Sequence, residues 1–347
     1  MLFELYELPF DAQGAQLLLG LALGLMFGVA AQISRFCLRR GLVAGPDRAP
    51  ALGTWAAALA TAIAATSAVI WAGWVDLSDH RLMVSDLPLL AIITGGLAFG
   101  VGMVLTRGCV SRLTVLGGTG NLRALTVLLV FALVAHATLK GVFAPVRVAL
   151  GSVTTDIGIG SLAELPGGLL TWAALLVAGL IAVVAALKPR PLHVAMAAVI
   201  GLVITLGWIG TGWLLLDEFD PLPVESMAFT STWADTLFWT VASSSIPAGF
   251  GVGVIGGVFG GAFLSALVRG ELAFASFTGA PETLRYVTGG ALMGFGGVLA
   301  GGCTVGAGLS GVSMLSIAAI IALASIAAGA LIADRVLGRA PVMQPAE

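Results

Sequence analysis

The sequence predicts an all-α, polytopic membrane protein with about nine transmembrane helices, some short broken or re-entrant helices, and a pseudo-symmetric internal repeat. Three observations predict it. The apolar residues form blocks about as long as a bilayer is thick, the basic and acidic loops segregate, and a 15-residue segment occurs twice.

The 347 residues are 59% hydrophobic and 10% charged, where a soluble domain carries about 25% charged residues. Mean hydropathy is +1.06, and the apolar residues run in unbroken blocks rather than amphipathic stripes. A block of about 20 apolar residues matches a hydrocarbon layer of about 30 Å at about 1.5 Å per residue. Backbone amides in lipid must be satisfied internally, so such blocks are helices. The blocks fall at about 14–36, 51–74, 88–106, 122–143, 167–187, 192–216, 247–268, 285–300 and 312–333. Polar connections separate them, as in Asp76–Arg81 and Asp217–Pro221. The stretch 234–246 is too short to span and reads as a re-entrant or interfacial helix. Residues 1–13 contain Glu4, Glu7 and Asp11 without a basic segment, so no cleavable leader is expected there.

Charge tests the count of spans, because Lys and Arg bias loops to the cytoplasm. With the N-terminus outside and the C-terminus cytoplasmic, 13 of the 16 basic residues fall on inner loops and 13 of the 18 acids fall outside. The expected location is a bacterial cytoplasmic (inner) membrane. The chain is expected to form a single integral domain over 1–347, with repeat-like halves at about 14–143 and 234–333 and a short cytoplasmic tail at 335–347.

The repeat pairs GGLAFGVGMVLTRGC at 95–109 with GGALMGFGGVLAGGC at 289–303; 8 of 15 positions agree without gaps, the terminal cysteine included. By the charge count the two copies run in opposite directions, as in inverted-repeat transporters with a site near the midplane. A weaker echo pairs Gly24, Gly28, Leu38, Arg40 and Gly41 with Gly253, Gly257, Leu267, Arg269 and Gly270. These two segments run the same way, so either one is re-entrant or the repeat is only partly inverted. In that register Ala266 stands where Cys37 would be.

The three cysteines, Cys37, Cys109 and Cys303, are far apart in sequence, which excludes a disulfide framework and a CxxC redox pair. Arg-Gly before Cys109 and Gly-Gly before Cys303 are expected to break a helix and leave the cysteine at the N-terminus of the next one. Free amides and the positive helix end would then face an anion. A lone apolar cysteine is more often a small buried hydrophobe; the matched pair argues for more than that. The ladders Gly20, Gly24, Gly28 and Gly249, Gly253, Gly257, Gly261 are expected to pack helices closely. Arg35, Arg107 and Arg112 read as inner-side anchors, or as functional groups if they lie deeper. The histidines lie apart from the cysteines, so no zinc site, other metal or cofactor is expected. No nucleic-acid partner is expected either.

At these residues the chain resembles the YeeE/YedE family, whose members include transporters of thiosulfate and related sulfur compounds. The carrying segments are SRFCLRRGL at 34–42, GGLAFGVGMVLTRGCVSRL at 95–113 and RYVTGGALMGFGGVLAGGCTVGAGLSGVSMLS at 285–316, with GGCTVGxGLSG the most specific. The resemblance covers about 14–335. It implies an hourglass-shaped helical body, thiosulfate uptake along a path lined by Cys37, Cys109 and Cys303, and work with a cytosolic sulfur-carrier protein of the TusA type. Gly108, Gly302, Thr304 and Arg107 complete the expected path. Two rivals stand beside the importer. One is a carrier of soft Cu(I), with Met103 and Met293 added to the thiols. The other is a membrane thiol enzyme that accepts sulfur on cysteine, against which the absence of a CxxC pair or a nearby base argues. The acidic outer loops, at a net −10, are a poor funnel for a dianion unless Arg81, Lys140 or Arg147 lines the mouth.

Overall fold

The computed structural model describes residues 12–216 and 222–337. Glu4, Glu7, Asp11, the loop Asp217–Pro221 and the tail from 338 lie outside the described residues.

Helix α1 (Ala12–Ser34) breaks, restarts as α2 (Leu38–Leu42), and α3 (Arg48–Trp71) returns. The same order recurs in α4 (Leu89–Leu105), α5 (Val110–Gly118) and α6 (Leu122–Lys140). The short α7 (Ala144–Gly151) follows, and a two-residue antiparallel ribbon joins β1 (Asp86–Leu87) to β2 (Thr155–Asp156). Next come α8 (Gly168–Leu187), α9 (Pro191–Ile209) with a π-helical extension at Gly210–Leu214, and α10 (Thr230–Ala242). The chain closes with α11 (Phe250–Arg269), α12 (Ala280–Leu299), a π-helical turn at Gly306–Gly311, and α13 (Ile317–Leu337).

Among the described residues, eight segments are long and apolar enough to cross a membrane: α1–α2, α3, α4–α5, α6, α8, α9 with its extension, α11 and α13. The ninth expected span is α12. It has 20 residues, but five glycines, Glu282 and Arg285 dilute its apolar character. Its length is that of a span. At 13 residues α10 is too short to cross. Helix α8 buries only Ala173 and is apolar on every side, as a helix facing lipid should be.

Glycine decides which helices meet. A Cβ on Gly28 would lie 2.5 Å from the Val258 carbonyl, while Gly20 and Gly24 press on Phe250 and Val254. The contacts climb both helices together, so α1 and α11 run parallel. Both have the length and apolar character of a span, and their shared direction agrees with the charge count. The two copies of the 15-residue segment behave differently. A Cβ on Gly102 would lie 2.5 Å from the Gly289 carbonyl, and one on Gly296 would lie 2.5 Å from the Gly95 carbonyl. Gly95 and Gly102 match Gly289 and Gly296 in the repeat, so α4 and α12 cross antiparallel through reciprocal contacts. Their other matched glycines face outward in turn: Gly96 and Gly100 pack on α13, Gly290 and Gly294 on α6. Each copy thus lies against the returning helix of the other.

Candidate functional site: three broken helices around buried thiols

Each cysteine follows the same local event. The residue two places before it has a left-handed backbone: Arg35 at φ 50°, Arg107 at φ 57° and Gly301 at φ 75°. The Phe36 amide donates back to Ala31 O (3.0 Å) and the Gly108 amide to Met103 O (3.1 Å), which closes the helix with the six-to-one bond of a Schellman turn. An arginine then donates into the freed carbonyls at each break. Arg40 reaches Arg35 O (3.1 Å), Arg285 reaches Leu105 O (2.9 Å) and Arg81 reaches Gly301 O (3.3 Å). Cations suit the negative ends of helices.

Beyond the break the chain is extended for one residue and coils again. Cys37 is the N-cap of α2 and Cys109 the N-cap of α5. Cys303 accepts from the Gly306 amide at 3.4 Å, and its carbonyl accepts from Ala307 N (2.9 Å) at the head of the π-helical turn. All three thiols are free and buried.

The breaks converge. The Cys37 and Thr304 side chains both lie beside the Cys109 thiol, and Ser111 Oγ lies 3.2 Å from its sulfur. Cys303 is the chain neighbour of Thr304. Gly108 and Gly302 sit in the turns that bring the cysteines there. Arg107 and Arg35 are exposed on the outer side of their turns, whereas Arg112 lies deeper, beside Cys37 and Cys109.

A cavity of about 500 Å³ opens at the end opposite Arg35, Arg39 and Arg40. It is lined by His80, Arg81, Trp208, Thr230 and Ser310, and it reaches Gly302 and Gly306, which flank Cys303. Trp208 and Thr230 are among its lining residues, and Trp208 Nε1 and Thr230 Oγ1 are buried with no hydrogen-bond partner. Buried donors without a partner are rare in folded proteins, and both belong to the cavity wall. His80 packs its ring edge-on to Trp208 at 5.2 Å. Its Nδ1 accepts from the Leu82 amide (3.3 Å), leaving Nε2 as the donor. Burial, then the neighbouring Arg81, push the His80 pKa down to about 4. Burial lowers the Arg81 pKa against the pull of Glu225. Burial and Asp235 raise that of Glu225. Of the three basic residues suggested for the mouth, Arg81 lines this cavity. Lys140 lines a second one across Glu225, and Arg147 instead donates to Thr138 O (3.2 Å). The outer donors Trp208 and Thr230 escaped the sequence, since nothing local marks them; the cavity alone picks them out.

A sequence model described as sulphur transport matches residues 33–332. The chain belongs to that family. The sulphur-transport chain is also 27% identical over 334 residues to the thiosulfate transporter TsuA of Escherichia coli K12, covering 87% of this chain and 89% of that protein. It is 27% identical over 323 residues to the thiosulfate transporter TsuA of Spirochaeta thermophila, covering 87% of this chain and 93% of that one. The YeeE/YedE resemblance and the multi-pass membrane character stand with these findings.

Proposed function

We propose that this protein takes up thiosulfate, or a closely related sulfur anion, through the path Cys303, Cys109, Cys37. The reading is supported by three broken helices, each followed by a buried cysteine, with Cys37 and Thr304 beside Cys109 and a cavity reaching Gly302 and Gly306. Similarity to transporters named for thiosulfate gives the cargo. Thiosulfate is a dianion with a soft terminal sulfur, and thiols donate weak S–H bonds to such an atom. Amides at the start of α5 offset charge without binding tightly. A relay of weak sites admits an ion and releases it. In this scheme Gly108, Gly302 and Arg107 set the turns, and Thr304 bridges the two repeat copies at Cys109. The basic end faces the cytoplasm of a bacterial inner membrane, where a TusA-type carrier protein receives the sulfur. The chain acts as one membrane domain with repeat-like halves at about 14–143 and 234–333.

The test is growth on thiosulfate as sole sulfur source in a strain without other thiosulfate uptake. The wild-type chain should restore growth. Cys109→Ala should not, and Cys109→Ser, which keeps a donor, should restore part of it. Full rescue by Cys109→Ala would overturn the thiol path. Serine matching alanine at zero would favour a covalent sulfur-accepting enzyme, and cysteine-dependent copper growth without a thiosulfate phenotype would favour the metal carrier.

A further inference from the structure

Two guanidinium groups beside Cys37 lack what buried cations need. Arg112 is the third residue of α5, and Arg39 is the second of α2. Both are partly buried, and Arg112 Nη1 and Arg39 Nε are sealed from solvent with no hydrogen-bond partner. Each faces Cys37, and Arg112 faces Cys109 as well. The other charged neighbours of Arg112 are Arg35 and Arg40. Arg39 has Arg107 close by, and the one carboxylate it faces, Asp334, is engaged by the Ala44 amide at 3.1 Å. Ion pairs among the described residues are Arg40–Asp47, Arg123–Glu282 and Arg269–Glu271. Neither Arg39 nor Arg112 takes part. Arg112 also stands in the first turn of α5, where the helix dipole repels a cation.

Apart from the two thiols, the neighbours of Arg112 oppose its charge, and a partly buried cation without a carboxylate partner is disfavoured. An anchor residue would reach the headgroups instead of pointing at two thiols. An anion that arrives along the thiols would reverse each of these penalties at once.

We propose that Arg112 and Arg39 form an anion-binding station at the basic end of the thiol column, which takes a small divalent sulfur oxyanion as it leaves Cys37. The proposal rests on the import function above and adds fixed cations to a path otherwise lined by weak donors. Arg112, deepest of the basic cluster, makes the charge-assisted bonds; Arg39 closes the station on the other side of Cys37.

The test uses the full chain in detergent and in phosphatidylcholine vesicles. Thiosulfate should raise the thermal midpoint of the wild type. Arg112→Met should have a higher midpoint than the wild type without thiosulfate, show no further rise with it, and take up thiosulfate about tenfold more slowly, as expected for loss of a charged hydrogen bond. Arg112→Lys should keep most of the uptake, and Arg39→Gln should fall between. A merely structural arginine predicts the opposite stability change. A lower midpoint for Arg112→Met, or uptake at the wild-type rate, overturns the station. So does stabilisation that needs phosphatidylglycerol and ignores thiosulfate, because the occupant is then a lipid headgroup. Should the wild type carry no thiosulfate at all, the cargo assignment fails. The station is then decided by whether sulfate raises the wild-type midpoint and not that of Arg112→Met.

Discussion

Arg35 and Arg107 hold a backbone conformation that glycine adopts freely and other residues adopt at a cost of about 1–2 kcal/mol. At Gly301 the third break uses the ordinary residue for the turn. The turns at Cys109 and Cys303 were legible because glycine precedes each cysteine. The turn at Cys37 was not, since its left-handed residue is an arginine and Phe36 follows. His80 gives the residue-scale prediction. Its folded pKa, about 4, lies below the ordinary 6.5 because the buried ring cannot readily charge. The unfolded chain therefore binds more protons between those values, and stability rises with pH there. The contribution is complete above about pH 6.5 and is lost as pH falls towards 4. Thermal midpoints across pH 4–7 should show this slope, and His80→Gln should flatten it. An unchanged slope in that variant would assign the acid sensitivity to another group.

At the scale of elements, the glycine ladders were readable as packing surfaces, but their partners were not. Nothing in Gly20, Gly24 and Gly28 names α11 as the helix they meet. That pairing depends on which faces remain after every helix has found its place. The crossing of α4 and α12 was closer to legible, because matched glycines in a repeat imply matched contacts. Gly257 and Gly260 lie on the same helix and separate packing from propensity. Gly257 abuts the Leu21 carbonyl and Gly24, whereas a Cβ on Gly260 would meet nothing within 4 Å. Gly257→Leu should force α1 and α11 apart, costing at least the 1–3 kcal/mol, roughly, of an overpacked core. Gly260→Ala should be neutral or stabilising by up to about 1 kcal/mol, since alanine is the better helix former. Unfolding midpoints of the two purified variants decide it, and equal behaviour would mean that the α1–α11 seam does not hold the fold.

For the whole molecule, direction is the property on which the proposed import depends. Helix contacts fix relative sense: α1 runs with α11, α4 runs with α13, and α4 runs against α12. They leave open which end faces the cytoplasm, and charge gives the expectation. Arg35, Arg39 and Arg40 lie at one end, while Asp76 and Asp79 border the cavity at the other. Basic loops stay inside, so the cavity should open outward and the guanidinium groups inward. A dianion entering a cell with 100 mV, negative inside, climbs about 4.6 kcal/mol. An arginine station at the inner end would hold the ion where that potential opposes it most. Labelling tests the orientation, because the native thiols are buried and should stay silent. Ser152 and Gly45 are exposed, at the cavity end and the arginine end respectively. In intact spheroplasts a membrane-impermeant maleimide should label Ser152→Cys and leave Gly45→Cys unlabelled until the membrane is opened. The reverse pattern would turn the cavity towards the cytoplasm and make the same thiol column an exit route.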